Sequence, residues 1–372
     1  MVGVYLMNTI RGLAGAFVGI FVPIYLLSRE LNPANVFWFY LVYSVGCLVF
    51  FFSAYWIVQK IGLRKTVLLE YPFLFLYFYL LYNFDTLHTP LAVIAIVSSF
   101  QASLYWFPLH MWLSETSKKE ELGDQLGKFF ALSGAIGIVA PFIAAFIIYW
   151  SGFKLLFVVA CVIYLISAIP IFALPEFDFP DPVDVKRFWK LFKSYPHYAM
   201  MEVLENVRED AEAIIWPVFV YLTFKSVLTI GYIGTLSGVG GILFTYIVGK
   251  ATDRVDKKKL MAAGAAIISV IWALRIFGVN QIWFYTLTLA FAFFEVLILI
   301  PINSIVYGIA KQEGPAEFIF YREWLVALGR IMLYIFALLV LANLRYIFVF
   351  AAVAGVGMVL LSPKNLEAKR QA

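Results

Sequence analysis

Four glutamates, Glu202, Glu205, Glu209 and Glu212, recur at every third or fourth position of one helical stretch. At 100° per residue they fall within an arc of about 80°, with Arg208 at its edge and Asp210 apart. Carboxylates on one helical face can take up protons, pair with arginine or face a positively charged solute. Similar chemistry recurs along the chain. Glu295 is a lone acid in Phe291-Ala-Phe-Phe-Glu-Val-Leu297, with Asn303 further along the same run. Glu323, Arg330 and Tyr334 share a stripe. Asn8 and Arg11 lie with Gly12, Gly15 and Gly19 on one face, and Gln101 and Tyr105 precede Pro108 and His110. Each group also has a plainer reading. Glu295 could form a static pair with Arg330 or Arg11, and a lone histidine beside a helix proline is more often a satisfied structural group than a proton relay.

These residues must be positioned by elements that lie in lipid. The chain has 372 residues, 63% of them hydrophobic and 14% charged, and its mean hydropathy is +0.89. A soluble fold of this size still has to cover itself with polar groups, so the composition is that of a polytopic membrane protein. The abundant aromatic residues suit lipid-facing and interfacial positions. Ionisable side chains at membrane depth are costly, and they line a cavity or pair with one another. A span that began after Glu212 would leave only 213–224, too short for about 30 Å of hydrocarbon. Glu209 and Glu212 are therefore expected within the bilayer, whereas Glu202 and Glu205 fit either the cavity or its mouth.

Apolar runs of spanning length fall near 4–28, 34–58, 66–84, 90–113, 127–150 and 153–174. After a polar interval they resume near 199–224, 227–249, 259–278, 281–309, 321–341 and 344–362. This predicts an all-α protein of twelve spans: a six-helix bundle over 1–174, a linker over 175–198, and a second bundle with a short tail over 199–372. In the linker, Asp181-Pro182 reads as a helix start. Val185, Phe188, Trp189 and Phe192 then recur at helical spacing between Lys186, Arg187, Lys190 and Lys193, which predicts an amphipathic helix on the inner membrane surface.

Sorting the lysines and arginines by loop tests the topology. The loops and tail on the side of the N-terminus hold twenty and the opposite loops four, with Arg11, Arg208, Arg275 and Arg330 inside spans. That bias places both termini in the cytoplasm. The net charge of +5 thus reports topology rather than nucleic-acid binding. Cys47 and Cys161 lie in apolar runs and form no disulfide framework or metal site. The first apolar run begins almost at Met1 with no basic segment before it, so it is expected to serve as its own insertion signal.

Landmarks repeat at nearly one offset. Pro23 precedes Pro217 by 194 residues, Gly62–Lys65 precedes Asp256–Lys259 by 194, and Pro108 precedes Pro301 by 193. Their agreement points to a duplicated half. The densest cationic cluster, Gly249-Lys-Ala-Thr-Asp-Arg-Val-Asp-Lys-Lys-Lys259, is a tight hairpin between two apolar runs. With its weaker copy at Tyr55–Lys65 it resembles the loop motif Gly-x-x-x-Asp-Arg-x-Gly-Arg/Lys-Arg/Lys of the major facilitator superfamily of secondary transporters. Gly249, Asp253, Arg254, Lys257 and Lys258 match, and Asp256 replaces the second glycine. The first copy keeps Lys60, Gly62, Arg64 and Lys65, with Tyr55 in place of the first glycine and Gln59 in place of the acid. Gly137-Ile-Val-Ala-Pro141-Phe-Ile-Ala-Ala145 resembles a softened form of a signature of the antiporter branch.

The resemblance implies alternating access by two rocking halves, with the hairpin residues Gly62, Arg64, Lys65, Gly249, Asp253, Arg254 and Lys257 in cytoplasmic gating. The second copy is expected to dominate, because Gln59 cannot replace an acid. It also implies a central cavity for a small solute, for which the candidates are Asn8, Arg11, Gln101, Tyr105, Glu205, Arg208, Glu209, Glu212, Glu295, Asn303 and Arg330. A proton is the expected coupling ion and export the expected direction, from a monomer in the inner membrane of a prokaryote. Arg11 and Arg208 lie at similar places in the two halves and keep an organic-anion or nutrient carrier open as an alternative. A non-transporting sensor of the same fold is another. A membrane enzyme would need a nucleophile, base or metal constellation. The chain has no Gly-x-Ser-x-Gly turn, no His-Glu-x-x-His and only three histidines. No cofactor is expected.

Overall fold

Broken helices carry most of the information about this fold. The computed structural model describes residues 2–117, 122–177, 185–252, 254–278 and 280–362, and all of the regular structure in them is helical. Span 1 (Gly3–Ser28) passes through a 3-10 turn at Gly19–Phe21 just before Pro23. Span 7 is helical over Pro196–Asp210 and Trp216–Phe224, with a π turn at Ala211–Ile215 just before Pro217. Proline lacks the N–H that would bond four residues back, and its ring crowds the preceding turn. The two matched prolines therefore loosen the two matched spans at the same place, one towards a tighter helix and the other towards a wider one.

Spans 2, 3 and 4 are Pro33–Ile61, Leu63–Tyr82 and Leu91–Thr116. Asn32 caps span 2 in a reciprocal capping box with Asn35. Gly62, at φ 84°, turns the chain from span 2 into span 3, a conformation that L side chains rarely adopt. Span 5 comprises Leu122–Gly137 and the first arm of Ala140–Ser167. Gly152, at φ 79°, breaks that long helix, and span 6 continues from it to the 3-10 turn Ile169–Ala173. Spans 8 to 12 are Val227–Thr252, Lys257–Arg275, Gln281–Glu313, Pro315–Leu339 and Arg345–Leu361.

Five of the helical segments are long and apolar enough to cross a membrane on length and composition alone, among them Pro33–Ile61 and Gln281–Glu313. Span 7 is not among them, because its inner half carries the acids. The linker helix forms at Val185–Ser194, while Asp181-Pro182 lies outside the described residues. Phe188 packs on Trp324 and Tyr321 of span 11, with ring centroids 5.2 and 5.7 Å apart. Arg187 pairs with Glu317 at 3.1 Å. Trp189 and Phe192 remain exposed.

Two seams join the N-terminal spans to the C-terminal ones. Spans 5 and 8 meet through small residues: a Cβ added to Gly127 would lie 3.0 Å from the Cα of Gly249, and one added to Gly234 would lie 2.6 Å from Pro141. Only glycine permits that approach of two backbones. Spans 2 and 11 meet instead through rings, with Tyr40 stacked on Tyr334 at 5.5 Å and Phe52 against Phe320 at 4.7 Å. Tyr55, which stands where the family motif has glycine, fills the corner between Phe107 of span 4 and Phe320 of span 11.

Candidate substrate and coupling site

The acids of span 7 divide their work by height. Deepest along the span, Glu212 sits in the π turn and accepts from Arg275 of span 9, including Nη2 to Oε1 at 3.0 Å. The Arg275 guanidinium is fully buried and lies 3.9 and 4.4 Å from the ring centroids of Trp216 and Trp272. One turn earlier, Arg208 is also fully buried and holds two carboxylates. It donates Nη2 to Glu205 at 2.6 Å and Nη2 to Glu295 of span 10 at 2.7 Å. Asp210 turns the other way to Arg330 (3.0 Å) and the Tyr334 hydroxyl (2.8 Å) of span 11. Glu202 pairs with Arg322 at 3.1 Å. Glu209 stands apart: it is exposed, and among the described residues it has no hydrogen-bond or ion-pair partner.

A cavity of about 720 Å³ opens beside these groups, between spans 1, 5, 7, 8 and 10. Among the described residues, Glu209, Glu212 and Glu295 are its charged lining residues. Opposite them, spans 1, 5 and 8 present apolar and small side chains such as Gly12, Gly19, Gly134 and Gly241. A Cβ on Gly19 or Gly241 would meet nothing within 4 Å, so both face open space. Phe130, Glu209 and Leu299 also line a second chamber of about 160 Å³, walled by Glu205, Asn303, Arg322, Glu323, Arg330 and His110 among others. Glu209 therefore stands at the junction of the two spaces.

Of the other candidate residues, Arg208 lies behind the acids and lines neither space. Asn8, Arg11 and Tyr105 belong to a separate cluster in the N-terminal spans, while Gln101 is buried on span 4 with its Oε1 lacking a hydrogen-bond partner among the described residues. Arg11 pairs with Glu70 of span 3 and covers the Tyr105 ring at 3.6 Å, and Tyr105 donates to Asn8 at 2.8 Å. Glu295 pairs with Arg208 rather than with Arg330 or Arg11.

Sequence reasoning missed three groups. Glu70 and Glu176 gave no periodic signal. Arg322, which charge sorting places with the loop cations, lies within span 11 and is mostly buried. Its position one residue before Glu323, in the first turns of an amphipathic helix, was the available clue.

At the first hairpin, the carboxylate that Gln59 cannot supply comes from Glu176, just beyond span 6. Glu176 accepts from the Leu63 and Arg64 backbone N–H groups at 2.9 and 3.0 Å and from Arg64 Nε at 3.1 Å. Lys65 is exposed. At the second hairpin, Gly249 forms the contact with span 5, and Asp256 caps span 9 by accepting from the Lys258 N–H at 3.0 Å. Arg254 lies between these points, Lys257 is the first residue of span 9, and Asp253 is outside the described residues.

A duplicated six-and-six arrangement of broken helices around a charged cavity has a counterpart among known proteins. The profile of the Major Facilitator Superfamily matches residues 4–205, more than half of the chain. The chain belongs to that superfamily. It is 21% identical over 273 residues to the uncharacterized protein YqgE of Bacillus subtilis, a match that covers 70% of this chain and 64% of the relative's length. In fold it is similar to a D-xylose–proton symporter, with a TM-score of 0.75 at 12% identity over 99% of this chain and 98% of that one. It is likewise similar to the human organic anion transporter MFSD10, with a TM-score of 0.70 at 14% identity over 97% and 98% of the two chains. The protein is a multi-pass membrane protein with the fold of secondary transporters.

Proposed function

We propose that this superfamily member is a proton-coupled exporter of a small organic solute that carries a positive charge. The six-helix units 1–174 and 199–372 rock about the cavity, and the linker joins them on the cytoplasmic side of a prokaryotic inner membrane. One observation carries the reading: among the described residues the larger cavity presents three carboxylates and no cation, because Arg208 and Arg275 are withdrawn behind Glu205, Glu295 and Glu212. An anion carrier would need an arginine free to meet the solute; Arg11 and Arg208 line neither space, and Arg322 and Arg330, which line the smaller one, are paired with Glu202, Glu323 and Asp210.

Charge balance supports proton coupling. Among the described residues, the span carboxylates Glu70, Glu202, Glu205, Glu209, Asp210, Glu212, Glu295 and Glu323 are set against five span arginines, at 11, 208, 275, 322 and 330. Eight acids against five bases leave an excess of three negative charges. In low dielectric such charges are neutralised by protons or by a bound cation. A proton and a cationic solute that compete for the same excess charge provide the differential affinity on which exchange depends.

The test is thermal stabilisation of the purified protein by a small library of organic cations, anions and sugars, followed by flux in proteoliposomes with an internal pH dye. Cations are expected to stabilise, and a proton is expected to move against each cation carried. Stabilisation by anions alone, or cation flux without proton movement, would refute the substrate or the coupling respectively.

A further inference from the structure

Among the described residues, every arginine–carboxylate pair at membrane depth joins helices on the same side of the linker. Arg11–Glu70 lies before it, and the pairs of Arg208, Arg275, Arg322 and Arg330 lie after it. Units that rock as wholes leave those pairs intact. His110 is different. It belongs to span 4, yet its ring nitrogens bond across the seam, Nδ1 to the Tyr307 hydroxyl of span 10 at 2.7 Å and Nε2 to Arg322 Nη1 of span 11 at 3.1 Å. Lys311 also crosses the seam to the Ser117 carbonyl, but that acceptor cannot titrate.

A guanidinium only donates, so Nε2 accepts and the imidazole proton sits on Nδ1, which donates to Tyr307. In this arrangement Nε2 has no room for a proton, because an N–H there would point at a second donor of like charge. The remaining groups around the ring complete the setting. Glu202 of span 7 and Glu323 of span 11 share Arg322, with Glu323 Oε1 3.5 Å from Nε2 and Glu202 Oε2 without a hydrogen-bond partner. Glu205, Glu209 and Arg330 line the same chamber, as do Tyr43 and Cys47 of span 2. Two carboxylates on one guanidinium leave this corner one proton short of neutral.

We propose that His110 is the coupling-proton site of this carrier. Nε2 is closed to protons while span 4 packs on span 11, and it takes a proton when the two part. The proton adds to the Nε2 lone pair, and the imidazolium keeps its Nδ1–H bond or releases it as span 10 moves. When the seam closes again, the returning guanidinium expels the proton, and Glu323 is the nearest carboxylate to receive it. Protonation therefore favours the parted seam, and closure releases the proton. The inference rests on the proton-coupled, rocking-unit reading above and assigns its proton to one atom.

The protein has only three histidines, His88, His110 and His197, so 15N-histidine spectra in lipid bilayers are simple, and His110→Gln identifies the resonance. At about pH 8 the wild-type protein should show His110 as the Nδ1–H tautomer. On acidification to about pH 5, its protonation should accompany a longer distance between spin labels at positions 115 and 312, both exposed, in a background with Cys47 and Cys161 replaced by serine. In Arg322→Gln, His110 should titrate about one pH unit or more higher. In His110→Gln, the label distance should no longer respond to pH.

An Nε2–H tautomer in the wild type, which needs no variant, would overturn the proposal. So would an unchanged titration in Arg322→Gln. A pH-dependent distance that survives in His110→Gln would also overturn it, giving the proton to the carboxylates and leaving coupled transport intact. Failure of coupled transport itself would appear instead as absent proton movement in the dye-loaded liposomes.

Discussion

Arg208 and Glu209 are neighbours in sequence and opposites in energetics. Arg208 is fully buried between two carboxylates. Arg208→Ala would strand Glu205 and Glu295 as unpaired buried charges, and should destabilise the protein by about 3–5 kcal/mol. Thermal or denaturant unfolding in detergent measures this. Glu209→Gln removes a charge that has no partner among the described residues, so unfolding should be unchanged while binding and flux of a cationic solute fall. A stability loss in Glu209→Gln equal to that of Arg208→Ala would mean that Glu209 is a structural ion rather than a solute-facing one. Gly241 offers a complementary steric probe. Its missing side chain opens onto empty space, so Gly241→Leu should fold normally and obstruct the cavity. Undiminished flux in that variant would take the path elsewhere.

At the scale of elements, the seam of spans 5 and 8 depends on glycine and the seam of spans 2 and 11 on rings. Gly249→Val would drive a Cβ to 3.0 Å from the Gly127 Cα and the Gly123 carbonyl. The expected outcome is a shift towards the conformation open at this end, read as faster labelling of a cysteine introduced near 127. Glu176 makes the first hairpin an element held in place by the linker. Glu176→Gln weakens a carboxylate seated on two backbone N–H groups at a helix start, at a cost of about 1 kcal/mol. Amide exchange at Leu63 and Arg64 should accelerate, while substitution of Gln59 leaves it unchanged. Equal effects at both positions would mean that Glu176 does not stand in for the missing acid.

For the whole molecule, the asymmetry between halves matters most. The N-terminal spans contribute a self-contained Arg11–Glu70 pair and an apolar cavity wall, whereas among the described residues the charged lining of the larger cavity comes from the C-terminal spans. The duplicated architecture has therefore been divided into a packing half and a charged half. A transporter built this way should lose solute selectivity through substitutions in spans 7 and 10. Substitutions in spans 1 and 5 should instead alter the size of the solute accepted. A change in charge preference, from cationic to neutral or anionic solutes, caused by neutral substitutions on the N-terminal wall and measured by competition binding would contradict that division.

Features that depend on local periodicity and composition are legible along the chain. These are the all-helical membrane fold, the matched Pro23 and Pro217 of spans 1 and 7, the boundary between spans 2 and 3 near Gly62, and the linker helix at Val185–Ser194. Helix length, proline chemistry and the cost of buried charge act within a few residues of one another, so they can be read along the chain. The pairing of charges emerges from helix packing alone. Glu295 meets Arg208 across 87 residues, Arg11 meets Glu70 across 59, and His110 meets Arg322 across 212. No periodic signal connects such distant positions. A charge specifies that a partner is needed but not which one, and the choice follows from how twelve spans pack against one another.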